Sequence, residues 1–378
     1  MNTSVTPSSD SRLQRYLAFL AEDPENLLLR SEIFDLALAA GAHDAAEQQI
    51  EFMLQRHPRE PQWEHRLALL RIAQKRYAEA NVIIDELLAC NHGEPVLRYN
   101  QAYVAFREGH YEKARAVLSA LMQEEGAPTG TLALLLQVLH RLGAVNEGLA
   151  LFEGRLVGGV PPAAYGVASL MAIDAGRIAQ AGTWSEHALR AEPMQLEALV
   201  ARASVALAAQ DSATAMPYLE RALQVNPADG RTWSAHGMAL LLRMECEQAV
   251  QSFKKAVASM PDHIGTWHGM AWSQLMLKDL AGARQSFEQA LAIDRNFGES
   301  YGGLAVVLAL QGQDHAAREH IDKALRLDSR SLAARYAEAI LSGEANDAER
   351  FRRLAERVLA GRTAFDGSSM AELVLRRR

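Results

Sequence analysis

The chain repeats itself every 34 residues. Trp233 is followed by Gly237, Ala249, Phe253, Ala256 and Pro261, and 34 residues on the same types return as Trp267, Ala271, Ala283, Phe287 and Ala290. A second shift gives Tyr301, Ala305, Ala317, Ile321 and Ala324. Shifts toward the N-terminus give Leu199, Ala203, Ala215, Leu219, Ala222 and Pro227, then Tyr165, Ser169, Ala181, Ala188 and Pro193. Weaker lettering continues through Leu132, Leu136, Gly148 and Phe152 after a one-residue slip, then Ala102, Ala114, Leu118 and Leu121. Ala68, Ala80, Ile84 and Leu87 precede these, and Phe34, Ala46, Ile50, Met53 and Pro58 open the series. Turns fall at Gly41, Lys75, Gly109, Gly143, Gly176, Gln210, Met244, Lys278 and Gly312, always 34 apart except for one step of 33 between Gly143 and Gly176. A fixed period of this size means one supersecondary unit per repeat, each burying its apolar face against its neighbours.

Numbering the unit so that Trp233 is position 4 gives each letter a physical role. Two apolar-periodic segments of about a dozen residues flank each turn, the pattern of a helix pair. Position 8 is small (Ala68, Ala102, Ser169, Ala203, Gly237, Ala271, Ala305), so a partner helix can approach closely; Ala at positions 20 and 27 does the same on the second helix. The bulky residue at position 4 fills the space between units. Pro58, Pro193, Pro227 and Pro261 stop the second helix, because proline lacks an N–H and clashes one turn back. Few aromatics (6%) and much Ala and Leu suit helices packed through small residues, and no strand pattern occurs.

The pattern W-x2-L-G-x2-Y…A-x3-F…A…P resembles the tetratricopeptide repeat family. The resemblance covers nine units over about residues 27–331. It implies an all-α chain: a right-handed superhelical solenoid of antiparallel helix pairs, about nine full repeats plus helical caps. The expected organisation is a polar N-terminus and capping helix (1–26), repeats 1–4 (27–160), repeats 5–9 (161–331), a degenerate tenth pair (332–360) and a basic tail (361–378). The N-terminal helix would be a lone second helix with Tyr16 and Phe19 at positions 24 and 27. Residues 154–165, GRLVGGVPPAAY, read either as a hinge or as an irregular turn.

No catalytic constellation accompanies the repeats. There is no HExxH, GxSxG, phosphate loop or dinucleotide fingerprint, and the repeats leave no room for a catalytic domain. The chain is therefore expected not to be an enzyme and to need no cofactor. The twelve His are scattered, and Cys90 and Cys246 form no paired spacing, so no metal site is expected. Free cysteines, no signal peptide and no run of 18 apolar residues point to a cytoplasmic protein without membrane insertion. A net charge of −7 argues against nucleic acid as a partner.

The resemblance places the first helices on a concave face, with positions 2, 5, 6, 9, 12 and 13 meeting ligand. In this chain positions 9 and 12 supply Leu69, Ile72, Tyr103, Phe106, His140, Leu170, Ile173, Leu207, Met238, Leu241, Trp272 and Leu275, and position 5 adds Tyr99 and His268. Position 5 carries no Lys, and Asn100 alone stands at position 6, so the carboxylate clamp of chaperone-binding relatives is not expected. The Asn ladder of the glycosyltransferase-type superhelices is missing too. An apolar groove suits an apolar or amphipathic segment of another protein. The same side chains can instead be core, packed against the next unit. The expected function is an interaction scaffold, adaptor or chaperone. The alternative is a substrate-recruiting subunit of a secretion, envelope-polysaccharide or protein-modifying system; an RNA-binding solenoid ranks below both.

The tail is basic. Residues 350–378 hold eight Arg against Glu356, Asp366 and Glu372, a net +5, and end in MAELVLRRR. It is expected to fold back over the last pair; alternatives are that it fills the groove or drives self-association.

Overall fold

The turn residues and prolines cut the chain into helices at the repeat spacing. The structure, a computed structural model, describes residues 9–90, 94–347, 349–350 and 352–353. A lone helix α1 (Ser9–Glu22) precedes nine pairs. They are α2 (Leu27–Ala39) with α3 (His43–Arg56), α4 (Pro61–Ala73) with α5 (Tyr77–Ala89), and α6 (Pro95–Arg107) with α7 (Tyr111–Leu121). Next come α8 (Thr131–Arg141) with α9 (Val145–Glu153), α10 (Pro162–Asp174) with α11 (Ile178–Ala191), and α12 (Leu196–Ala208) with α13 (Ser212–Val225). The last are α14 (Gly230–Leu242) with α15 (Cys246–Ser259), α16 (Ile264–Met276) with α17 (Leu280–Ile293), and α18 (Gly298–Leu310) with α19 (Asp314–Leu327), followed by a shorter α20 (Leu332–Leu341). No strand occurs among the described residues. The chain divides into two compact units, one running to Ala164 and the other from Tyr165. Between α9 and α10 lies one 3-10 turn, Leu156–Gly158, and Gly159 has a positive φ.

All nine turn residues read from the sequence sit in the left-handed region, with φ between 55° at Gln210 and 81° at Gly109. This is the residue just past the helix C-terminus, whose N–H bonds back to an orphan carbonyl. Gly109, for example, donates to Phe106 O at 3.2 Å. Five of the nine are glycine. Lys75, Gln210, Met244 and Lys278 adopt the same conformation with a Cβ, which crowds the following carbonyl and costs roughly 1–2 kcal/mol. A Cβ at Gly109 or Gly143 would meet nothing within 4 Å, so the cost of a side chain there lies in the backbone alone. Lys75→Gly is therefore expected to raise the midpoint of thermal unfolding, and Gly109→Ala to lower it, each by about 1 kcal/mol in stability. Equal melting curves for both variants and the parent would refute the assignment.

The second helices stop two residues before proline: α3 before Pro58, α11 before Pro193, α13 before Pro227 and α15 before Pro261. Two of these prolines also anchor the next unit. Trp233 and Trp267, half-buried at position 4, donate their indole N–H to the carbonyls of Pro227 and Pro261 at 2.8 and 2.7 Å. The small residues at position 8 are all buried, as are Ala at positions 20 and 27. Phe253 fills the contact between α14, α15 and α16, pressed against Gly237 of its own unit and Gly269 of the next. Phe287 meets Gly303 of α18 in the same way.

Three features depart from the reading of the repeat. In α1 the buried residues are Leu13 and Leu20, with Tyr16 and Leu17 packed beside them, and Phe19 stands 53% exposed. The register of this lone helix is thus one residue off the repeat, because no preceding pair holds it in frame. Leu170 belongs to the core with Leu199, Val200 and Ala222, not to an open face. In α18 positions 9 and 12, Val306 and Ala309, are buried. Leu332–Leu341 is the helix expected to open a tenth pair. Its second helix and the basic tail fall almost wholly outside the described residues.

Candidate functional site

In the first unit the candidate residues gather on α4, α6 and α8. Ile72 packs on the cluster of Ala68, Ala80, Ile84 and Val104, and Leu69 beside it is half-buried. Tyr99, Tyr103 and Phe106 are half-buried along one face of α6, and His140 of α8 is also half-buried. The Phe106 and Tyr111 rings lie 5.8 Å apart. Arg107, at the end of α6, donates from Nη1 to the Tyr103 hydroxyl at 2.9 Å. Its guanidinium also stands 5.4 Å from the Tyr77 ring and 5.8 Å from that of Tyr103. Burial pushes the Tyr99 phenol pKa up, and its hydroxyl stands against Gly130, where a Cβ would come within 2.7 Å. One turn from these, Asn100 Nδ2 donates to His65 Nε2 at 2.9 Å. That nitrogen must accept, so the imidazole is neutral, in line with burial lowering its pKa. Asn100 is thereby occupied in joining α6 to α4.

In the second unit the apolar row runs along α10, α12, α14 and α16. Ile173 and Leu207 are half-buried on the clusters beneath them. Leu241 packs on Leu240, Phe253 and Met270, while Met238 is exposed. Trp272 and Leu275 lean on Ala305, Val306 and Ala334. Met276, at the end of α16, is exposed. His268 is turned inward: its Nε2 lies 2.7 Å from Ser300 Oγ, and its ring stands edge-on to Phe287 and Phe297, each 5.3 Å away. Burial lowers its pKa to about 4. It is a structural histidine that ties α16 to α18.

Two contacts reach past an intervening first helix. Arg231, at the start of α14, clasps both carboxylate oxygens of Asp174, at the end of α10, and the span passes α12. His263 lies close enough to feel both charges; burial and the Arg231 cation lower its pKa, and Asp174 opposes them. The second contact is aromatic: the Trp272 and Tyr336 rings are 6.5 Å apart, across α18. Ala305 and Val306 of α18 lie in the same cluster, and their small side chains leave room for the two rings to approach. The lettering of single repeats gives no hint of either contact. The available signal was opposite charge at positions 13 and 2, two units apart.

Among the described residues no group of His, Cys, Asp or Glu could hold a metal ion, and no helix is long and apolar enough to cross a membrane. The remaining apolar faces can do one thing chemically: bury themselves against another apolar surface.

Nine helix pairs among the described residues, with small residues at the contacts and a left-handed turn in every pair, give the chain the tetratricopeptide-repeat fold. No family model matches the chain, and no curated protein matches it. Solved structures do. IFIT1, solved as a monomeric mutant with m7Gppp-AAAA, is 15% identical over 87% of this chain and 86% of its own, with a TM-score of 0.54. A tetratricopeptide repeat protein from Parabacteroides merdae is 18% identical over 66% of this chain and 97% of its own, with a TM-score of 0.42. YrrB, described as having an unusual peptide-binding site, is 16% identical over 46% of this chain and 90% of its own, with a TM-score of 0.39.

Proposed function

We propose that the chain is a non-catalytic scaffold that holds an apolar or amphipathic segment of another protein against its first helices. The observation that carries this reading is the set of apolar side chains left half-buried or exposed on those helices: Tyr103 and Phe106 in the first unit, Met238 and Leu241 in the second. Aromatic and methionine side chains supply large contact area, and methionine adapts its shape to the partner. The reading covers an adaptor, a chaperone or a recruiting subunit alike, since these differ in the partner and not in the surface. An RNA ligand like that of IFIT1 is opposed by the net charge of −7 and by the aliphatic character of the second unit's face.

The test uses a photo-crosslinking residue at position 106 or 238, with exposed Val82 on the second helix α5 as the control position. Discrete adducts from 106 or 238, and none from 82, are expected in cells of the native host. For the partner so identified, Tyr103→Ala with Phe106→Ala is expected to weaken binding at least tenfold, about 1.4 kcal/mol or more. Intact affinity with only a lower melting temperature would show these side chains to be core.

A further inference from the structure

The ends of the first helices in the second unit form an edge with its own composition. Met244, Met276, Leu277 and Leu310 lie at the C-termini of α14, α16 and α18, and all four are exposed. Beside them, in consecutive turns, stand Asp211, Glu245, Asp279 and Asp314. Asp211 and Asp279 cap the helices that follow, accepting from Thr214 N and Gly282 N, and Glu245 lies 2.7 Å from Arg243. Glu247 adds a further carboxylate, and Arg243 and Lys278 are the cations of this edge. The edge is therefore apolar and net acidic. At the same repeat position the second unit has Arg177, Asp211, Glu245, Asp279 and Gln313, acidic at three of five places, and the first has Ala42, Arg76, His110 and Ala144, acidic at none.

An apolar, acidic edge calls for an apolar, basic occupant, and the chain carries one. Residues 366–378 read DGSSMAELVLRRR, with Met370, Leu373, Val374 and Leu375 followed by Arg376, Arg377 and Arg378. This segment lies outside the described residues. Even with 354–360 helical, as the expected tenth pair requires, residues 354–369 can span about 40 Å. From α20 back to α14 is three helix steps of about 10 Å each, so the reach suffices. Tethering also raises the local concentration of the segment to roughly millimolar, which favours the chain's own edge over that of a second copy.

We infer that the C-terminal segment 366–378 docks on this edge of its own chain, with its leucines on Met244, Met276 and Leu310 and its arginines beside the turn carboxylates. The inference concerns the C-terminal ends of the first helices, and its readout is separate from the crosslinking that tests the scaffold reading.

Hydrogen exchange tests it on the full chain, on a chain ending at 365, and on the variant Arg376→Glu, Arg377→Glu, Arg378→Glu. Both changes are expected to speed exchange at least tenfold in the turns 243–247, 276–280 and 310–314. Turns 74–77 and 108–111 of the first unit should stay as they were. A synthetic 366–378 peptide at millimolar concentration should restore protection to the shortened chain, and 0.5 M salt should weaken it. Light scattering should give a monomer throughout. Three results would overturn the inference: unchanged exchange in all three turns; faster exchange confined to α20, which makes the tail a cap of the last pair; or a dimer that becomes a monomer on shortening, which puts the segment on a second copy.

Discussion

Gly303→Leu is expected to cost the protein about 3 kcal/mol or more, the upper end of what overpacking a core does. The reason is the Phe287 ring. A Cβ on residue 303 would lie 2.3–2.6 Å from three of its carbon atoms, closer than any real contact. Phe287 is itself fully buried and holds Ala271, Ala283 and Leu304 around it, so it has nowhere to move. Gly237→Leu is expected to act likewise, since its Cβ would come 2.8–2.9 Å from the Phe253 ring. A double-mutant cycle isolates the cause. Phe287→Leu removes part of the ring, so Gly303→Ala should cost less in that background than in the parent, with a coupling of about 1 kcal/mol or more. Strict additivity would show that residue 303 acts through something other than the ring. Damage should remain partly local, because each repeat leans chiefly on its neighbours, and unfolding monitored from the two units need not coincide.

The second large effect is in pH. Acidification from pH 7 to pH 4 is expected to destabilise the fold by an amount on the order of 3 kcal/mol at most from His268 alone. Its folded pKa of about 4 lies below the ordinary histidine value of 6.5. Between those values the unfolded chain binds the proton and the folded chain does not, so stability falls as pH falls. Above pH 6.5 the contribution is fully present; below pH 4 both states are protonated and nothing further is lost. His65, His236 and His263 are shifted in the same direction, chiefly by burial, and add to the slope. Glu47 responds only lower down, where its carboxyl, held below the usual range by Arg71, takes up a proton. His268→Gln should flatten the stability profile between pH 6.5 and 4. An unchanged slope in that variant would move the burden to the other three rings.

The repeat lettering foretold what depends on neighbours in sequence. Gln210, Met244, Lys75 and Lys278 have none of the glycine character of a left-handed turn, yet the period placed them there and the backbone obeys it. The packing glycine Gly237 and the stopping Pro227 were legible for the same reason: each acts within one helix pair. What escaped depends on residues contributed by other pairs. Val306 and Ala309 occupy positions that face outward in an averaged repeat, but Trp272 and Tyr336 close over Val306, and Ile340 and Leu341 over Ala309. His268 likewise reads as a groove residue until Phe287 of its own pair and Ser300 and Phe297 of the next are placed around it. The one-residue shift in α1 has a related cause, the absence of a preceding pair to set its frame. The candidate binding faces were thus legible as a list of side chains, and the depth of each was not.

The clasp of Asp174 by Arg231 has an evolutionary corollary. Arrays like this grow and shrink by duplicating or losing whole 34-residue units, which leaves every neighbour contact intact. A bond between the first and third members of a triplet does not survive that process. Loss of the unit 196–229 would bring α10 and α14 side by side and force the carboxylate and guanidinium into a new geometry; insertion of one more unit would separate them altogether. Either change would break the pair, and gain or loss of the unit carrying α18 would separate Trp272 from Tyr336 in the same way, so at these two places a change in copy number costs a contact that neighbour packing alone does not replace.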